Sequence, residues 1–170
     1  MSRGFVKEDD QEEPPFIPPR APLPDGVPNY VTAVGLKELR LEQQELEQER
    51  KSLDAENDKE RRKSLAEING KLSLLDERIA SAQLIKLEDQ PSDEVRFGAT
   101  VKFTVIDGKP KGLERTFTIV GVDEADIKLK KVAFTAPIVK TITGKKPNET
   151  VWFKMGELNQ LLEINSIDYK

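Results

Sequence analysis

A long heptad pattern constrains the fold more than any other feature of the chain. Apolar side chains recur at alternating steps of three and four through Leu65, Ile68, Leu72, Leu75, Ile79 and Ala82. This spacing places them on one face of an α-helix. An earlier stretch has a matching stripe of Leu36, Leu39, Leu46 and Leu53, with Gln43 and Arg50 at the positions between. Neither stripe is stable alone in water, so the pattern predicts two helices packed against each other.

The chain must reverse direction between these helices, and residues 52–58 are suited to the turn. Asp and Asn there favour caps and turns over helix interiors, while neither Pro nor Gly interrupts the arms between Leu36 and Asn69. The sequence therefore predicts an antiparallel coiled-coil hairpin over residues 30–85. Its tip is acidic, with Asp54, Glu56 and Asp58.

Composition excludes several functional classes. The 170 residues include no cysteine and no histidine, which rules out disulfides, cysteine-based zinc sites and Ser-His-Asp catalysis. The net charge of −4 argues against an autonomous nucleic-acid-binding protein. The apolar runs are too short to span a bilayer, and the acidic N-terminus is unlike a signal peptide. We expect a cytoplasmic protein that has no membrane association.

Residues 1–29 form an N-terminal tail with an acidic run followed by seven prolines between Pro14 and Pro28. This proline density prevents helix formation and favours extended polyproline II structure. Two interpretations remain open. The first, which we favour, is a disordered leader. In the second, Phe16 and Ile17 dock in a groove on this protein or on a partner.

The sequence pattern changes after Ile85. Residues 86–94 are polar and are typical of a linker, and residues 95–170 show short apolar runs separated by turn signals. The predicted strands are Ala99–Val105, Arg115–Val120, Ile127–Val132, Val151–Lys154 and Leu161–Ile167. A short helix is framed by Pro137 and Gly144. The fold class is therefore α+β, a coiled-coil hairpin followed by a small, mainly antiparallel sheet domain with one short helix.

Several motifs in this order resemble the bacterial GreA/GreB family of transcription elongation factors. The resemblance covers residues 30–169. It includes the helix start at residues 32–39, the hairpin end at 79–85, the first strand at 95–101, the stretch Ile119-Val120-Gly121-Val122-Asp123-Glu124-Ala125-Asp126-Ile127-Lys128, and the helix at 136–145. One such match is weak evidence, but five in the right order over two predicted domains identify the chain as similar to this family.

The resemblance implies an accessory factor rather than an enzyme. Its C-terminal domain, residues 95–170, would have an FK506-binding-protein-like fold and grip RNA polymerase at the rim of the secondary channel. The polymerase-binding residues implied are Asp123, Glu124, Asp126, Ala136, Pro137 and Ile138, with Asp126 as the best single contact. The coiled coil would enter the channel. No cofactor, small-molecule substrate or metal of its own is implied, and nucleic acid would be met only within the transcription complex.

The tip departs from the family pattern. The usual acidic tip sequence is absent, and an apparent shortening of roughly seven residues per arm would leave the tip about 10 Å short. The shortened hairpin is also similar to that of the Rnk regulator, a relative that binds polymerase without promoting cleavage. We therefore expect regulation by channel occupation. The first alternative is stimulation of the polymerase's own transcript cleavage, with Asp54, Glu56 or Asp58 helping to hold its magnesium. A coiled-coil adaptor is the second alternative.

Peptidyl-prolyl isomerase activity is also suggested by the implied fold, but fold analogy alone does not carry an activity. Such an activity needs an apolar pocket lined by aromatic side chains. The aromatic residues are few and scattered along the strands, so the sequence predicts no such pocket.

Overall fold

The N-terminal half of the molecule is a helical hairpin. The computed structural model describes residues 13–54 and 57–170. Helix α1 spans Ala33–Ser52 and helix α2 spans Asp58–Ala80. Thr32 caps α1 by accepting a hydrogen bond from the Gly35 amide, and Asn57 caps α2 by accepting one from the Glu60 amide at 2.8 Å. The structure thus has the predicted hairpin, with its reversal in the predicted segment.

The seam between the two helices follows the predicted heptad positions. Leu39, Ile68, Leu72 and Leu75 are buried. The polar seam positions also connect the arms, because Gln43 Nε2 donates to Asp76 Oδ1 at 2.6 Å and Arg50 Nη1 donates to Asn69 Oδ1 at 3.3 Å. Ala82 is the exception to the helical pattern, since it lies beyond the end of α2.

A short parallel strand pair closes the base of the hairpin. Strand β1, Asn29–Val31, enters the hairpin, and strand β2, Ala82–Leu84, leaves it. They pair in parallel from Asn29 opposite Ala82 to Val31 opposite Leu84. The linker contains a 3-10 turn, Leu87–Asp89, and Leu87 packs on Gly98.

The C-terminal half, residues 95–170, is a five-stranded sheet with one helix, hereafter the globule. Its strands are β3 (Thr100–Asp107), β4 (Glu114–Val120), β5 (Lys131–Ala133), β6 (Thr150–Met155) and β7 (Leu158–Asp168). Their spatial order is β5-β4-β3-β7-β6. Neighbours are antiparallel except β4 and β5, which are parallel.

The core of the globule lies between this sheet and helix α3, Pro137–Ile142. Pro137 occupies the first turn, where its missing N–H has no helical partner in any case. Val139 and Ile142 are the buried side chains of α3. Ile138 is half-buried and packs at the edge of the core. The buried pair belongs to the same hydrophobic cluster as Phe103, Ile119 and Leu162 of the central strands.

One predicted strand differs in the structure. The segment expected as a strand over Ile127–Val132 begins as a 3-10 turn, Ile127–Leu129, and only then enters β5. Lys130 ends the turn with a left-handed backbone at φ 56°, which no continuous strand contains. The crossover from β4 is therefore compact, and β5 returns parallel to it.

Residues 13–28, which we call the N-terminal strap, lie along the hairpin. Ile17 packs on Gly70, where an added Cβ would overlap its Cδ1 atom. The Ala21 carbonyl accepts a hydrogen bond from Arg78 Nη2 at 2.6 Å, and Arg20 makes ion pairs with Glu42 and Asp123. The sequence favours a disordered leader over residues 1–29, of which residues 1–12 lie outside the described ranges. The placement of Ile17 agrees with the alternative of docking on this protein, while Phe16 is 81% exposed.

Candidate functional site

The junction between hairpin and globule is built around the carboxylate of Asp123. Its Oδ1 atom accepts a hydrogen bond from Arg20 of the strap at 3.0 Å. Its Oδ2 atom lies 3.2 Å from Arg78 Nε of α2, without hydrogen-bond geometry to any described group. Arg20 also binds Glu42 of α1 through two hydrogen bonds, which chiefly raise the pKa of its guanidinium. One carboxylate of the globule therefore contacts the strap and α2, and through Arg20 it is linked to α1.

Glu124 forms a second contact at this junction. Its Oε2 atom accepts a hydrogen bond from Thr32, the cap of α1, and its Oε1 atom lies 3.0 Å from Lys131 Nζ. The same carboxylate explains Gly35, because a Cβ there would lie 2.6 Å from Glu124 Oε2. Gly121 serves a similar purpose, since its added Cβ would lie 2.7 Å from the Tyr30 carbonyl oxygen.

The first two predicted polymerase contacts are thus placed inside the molecule. The side chains of Asp123 and Glu124 are only 9% and 5% exposed, and both are engaged by cations. A partner could reach these carboxylates only by separating the hairpin from the globule. We therefore assign Asp123 and Glu124 to the junction and do not include them in the docking surface proposed below.

Asp126 lies on the surface, at the start of the 3-10 turn. Its Oδ1 atom accepts a hydrogen bond from the Lys128 amide at 2.8 Å, and its backbone pairs with Lys131. The turn then presents two large apolar side chains to solvent, because Ile127 is 90% exposed and Leu129 is 66% exposed. The sequence pattern did not reveal this pair, since an apolar residue in a predicted strand is expected to be buried.

The remaining predicted contacts, Ala136, Pro137 and Ile138, open helix α3. Pro137 is exposed, while Ala136 and Ile138 are half-buried against the core of the globule. Ala136 is the N-cap residue, and no side chain supplies a capping hydrogen bond. The structure therefore keeps these three residues together as one ridge, with Pro137 outermost.

An apolar cavity of about 520 Å³ lies beside this ridge. Tyr30, Phe97 and Phe134 line it, with ring centroids 5.4–5.8 Å apart, and Thr135 and Lys140 connect it to the start of α3. From the sequence we expected the aromatic residues to be too scattered for a pocket. The three rings meet because β1 carries Tyr30 from the hairpin base onto the globule.

The hairpin tip shows local structural roles for its acids. Asp58 is in the first turn of α2, where a negative charge is favourable to the helix dipole, and Asp54 follows the end of α1. Both are exposed, and Glu56 lies outside the described residues. Over residues 13–54 and 57–170, no group of three or more acidic residues is placed to hold a metal ion.

The comparison that decides the family concerns the globule. Residues 90–169 match the model of the transcription elongation factor GreA/GreB C-terminal domain. The chain is 39% identical over 103 residues to the transcription elongation factor GreA of Hyphomonas neptunium, covering 61% of this chain and 64% of the relative. Residues 90–169 therefore belong to the GreA/GreB C-terminal domain family.

Further comparisons extend this likeness. It is 42% identical over 84 residues to GreA of Acidiphilium cryptum, covering 49% of this chain and 52% of that protein. The chain spans less than two thirds of the length of each of these two curated relatives. Solved structures align at 16% identity: GreA/GreB of Nitrosomonas europaea (TM-score 0.40, 84% of this chain, 99% of that one) and Gfh1 of Thermus thermophilus (TM-score 0.38, 82% and 97%).

No helix within the described ranges, 13–54 and 57–170, is both long and apolar enough to cross a membrane.

Proposed function

We propose that the chain is a Gre-family transcription elongation regulator that binds bacterial RNA polymerase at the secondary channel. The observation that carries the proposal is the match of residues 90–169 to the GreA/GreB C-terminal domain, which coincides with the globule. In this proposal the protein acts in the cytoplasm, and it meets nucleic acid only within the transcription complex. It is an accessory factor that needs no cofactor of its own.

The proposed docking surface consists of Asp126 and the ridge of Ala136, Pro137 and Ile138. These residues remain after the buried carboxylates of the junction are excluded. The aromatic cavity beside the ridge is large enough to receive an apolar side chain, because a leucine or phenylalanine occupies less volume than its 520 Å³. In this proposal the ridge and the apolar cavity beside it together meet the rim of the secondary channel.

The proposed action is occupation of the channel by the hairpin. Helix α1 has 20 residues, so it extends about 30 Å from the globule. Of the acids at the tip, Asp58 has a local role, because it lies in the first turn of α2 where a negative charge is favourable to the helix dipole. The shortening of the arms would keep the tip acids about 10 Å from the position that the family's longer hairpins reach. At that distance a carboxylate cannot ligate a magnesium ion, because ligand distances vary by only tenths of an ångström.

Binding is tested by changing the docking surface in the full chain. Asp126→Arg, and Pro137→Ala combined with Ile138→Ser, should each weaken capture of RNA polymerase while the circular dichroism spectrum stays near that of the parent. Glu157→Arg is the matched charge-reversal control, because Glu157 is an exposed acid in the turn between β6 and β7. If both docking variants bind as well as the parent, the assignment of this surface is wrong.

The mode of action is tested separately with a stalled transcription complex. The parent chain should bind without raising magnesium-dependent transcript cleavage. Changing Asp54, Glu56 and Asp58 to Asn, Gln and Asn should then have little effect. A strong rise in cleavage that the triple change abolishes would establish the alternative of a cleavage stimulator. Failure of the parent to bind polymerase at all would instead favour the coiled-coil adaptor.

A further inference from the structure

One arginine of the strap binds both the hairpin and the globule. The guanidinium of Arg20 donates two hydrogen bonds to the Glu42 carboxylate of α1, at 2.8 and 3.0 Å, and one to Asp123 of the globule at 3.0 Å. A planar guanidinium that binds one carboxylate through two nitrogens and another through its third leaves little freedom of rotation to either partner. Arg20 therefore fixes the position of Glu42 relative to Asp123.

Contacts on either side of Arg20 hold the strap against α2. Ile17 packs on Gly70, and the Ala21 carbonyl accepts a hydrogen bond from Arg78. Four residues of polyproline II structure span about 12 Å, and eight residues of α-helix span the same length. The strap thus fits between these two contacts without slack, and the two prolines before Arg20 restrict its backbone there.

The direct contacts described above between the hairpin and the globule lie at the hairpin base. Thr32, the cap of α1, donates to Glu124, and the Tyr30 ring packs against two phenylalanine rings of the globule. Glu42 lies nine residues beyond Ala33, the first residue of α1, or about 14 Å along the helix. Contacts grouped at one end of a long rod form a pivot, whereas a contact at a distance from that end resists rotation about it. Arg20 provides this second kind of contact.

We propose that the strap is a clamp that sets the direction of the hairpin relative to the globule. With Arg20 bound, the hairpin is restrained at its base and again about 14 Å along α1. When Arg20 is released, the hairpin tilts about its base while its two arms stay paired. Solvent and ions can reach the clamp, because the Glu42 side chain is 44% exposed, and ion pairs open to solvent contribute only modestly to stability. This assignment is independent of the proposed binding to polymerase.

The direction of the hairpin can be measured as the distance between two spin labels, because the chain has no cysteine of its own. Gln48→Cys in the outer part of α1 and Glu157→Cys in the turn between β6 and β7 place labels at exposed positions of the hairpin and the globule. In the full chain, pulsed electron paramagnetic resonance should give one narrow distance distribution. Ile17→Ser combined with Arg20→Ala should widen it about twofold or more, since the strap then loses its apolar contact and its ion pairs.

Two controls separate tilting of the hairpin from other effects. Arg40→Ala removes an exposed arginine of α1 and should leave the distribution as narrow as in the parent. A second pair of labels, at Lys37→Cys and Arg61→Cys, occupies exposed positions on the two arms of the hairpin. The distance between these two labels should be the same with and without the strap substitutions.

The expected result is that the double substitution widens the distribution of the first pair of labels alone. If that distribution stays narrow, the proposal is overturned, because the contacts at the base then set the direction of the hairpin without the strap. Widening for both pairs of labels would also overturn it, since the strap would then hold the two arms together rather than direct them.

Discussion

Asp123 connects the globule to the strap and to α2 through Arg20 and Arg78. Its carboxylate joins two arginines of the hairpin side, and it is a poor candidate for substitution because both cations lie in a largely buried setting. One of its contacts lacks hydrogen-bond geometry, so the cluster is not fully satisfied within the described residues. A buried charge that has no partner costs free energy. Removing the Asp123 carboxylate would leave the charges of Arg20 and Arg78 without it, and this costs more than the one imperfect contact of the present cluster.

We predict that Asp123→Asn destabilises the protein by about 2–3 kcal/mol, because Arg20 and Arg78 lose the charge that compensates them. Urea unfolding followed by far-ultraviolet circular dichroism measures the change. Asp93→Asn is the matched control, since Asp93 pairs with Lys146 at 3.0 Å on the open surface. Its midpoint should stay unchanged, and equal losses for the two variants would contradict a special role for the junction.

Tyr169 gives the molecule a pH dependence at alkaline pH. Its hydroxyl accepts a hydrogen bond from the Arg96 amide at 2.9 Å and donates one to the Glu94 carbonyl. Burial raises the pKa of Tyr169, against a smaller lowering by the Arg96 amide. The protonated phenol is therefore favoured in the folded state. Its contribution is fully present below the unfolded pKa of about 10 and is lost as pH rises through the folded pKa.

We therefore expect the melting temperature to fall above about pH 10, and Tyr169→Phe to reduce this fall. The variant should also be less stable at neutral pH, because the Glu94 and Arg96 backbone groups lose their partner. Thermal unfolding followed by circular dichroism at several pH values measures both effects. Tyr30→Phe removes the other tyrosine hydroxyl and should keep the alkaline fall. The same fall in all three proteins would exclude Tyr169 as its source.

At the scale of elements, the seam of the hairpin explains why two polar arms remain helical. Leu75 is fully buried and Leu72 is 6% exposed, whereas Leu41 on the outer face of α1 is 45% exposed. Gln43 and Arg50 interrupt the apolar seam but reach across it to α2. Such polar seam contacts fix the pairing of the arms while contributing less to stability than leucine does.

Substitutions at these leucines should distinguish residues in the seam from residues on the outer face of the helix by their effect on stability. Leu72→Ala or Leu75→Ala should destabilise the hairpin by about 2–4 kcal/mol, since each leaves a cavity among packed side chains. Leu41→Ala should have a far smaller effect, because its side chain already meets solvent. Helical signal in urea titrations provides the measurement. Similar losses at Leu41 and Leu72 would show that the seam is assigned to the wrong face.

The elements that the sequence predicted share a property: each has a periodic or local signal. The helices follow the heptad positions, α3 follows Pro137 and Gly144, and the inner strands alternate in burial, as β3 does. The prediction of a strand from Ile127 was wrong, because the apolar residues of this turn also fit a strand pattern. Only the left-handed conformation of Lys130 distinguishes the turn, and lysine carries no sequence signal for it.

At the scale of the whole molecule, the features missed by sequence reasoning are contacts between distant segments. Arg20 and Asp123 are 103 positions apart, and the strap that carries Arg20 has no periodicity. The aromatic cavity likewise joins residues from the hairpin base and two parts of the globule. Two helical glycines mark further close approaches between distant segments, Gly35 to Glu124 and Gly70 to Ile17. A glycine in a sequence does not identify the residue that approaches it.

Because strands β1 and β2 pair at its base, the hairpin can change in length without a change in the rest of the fold. Its entry and exit are fastened side by side at Asn29 and Ala82, so its two arms can change length together while the base is unaltered. One heptad inserted into each arm would move the tip outward by about 10 Å and keep the seam in phase. Under the proposed function, a lengthened chain should keep the affinity of the parent for polymerase and reach deeper into the channel. In evolution, arm length is then a trait that selection can adjust without altering the base of the hairpin or the globule.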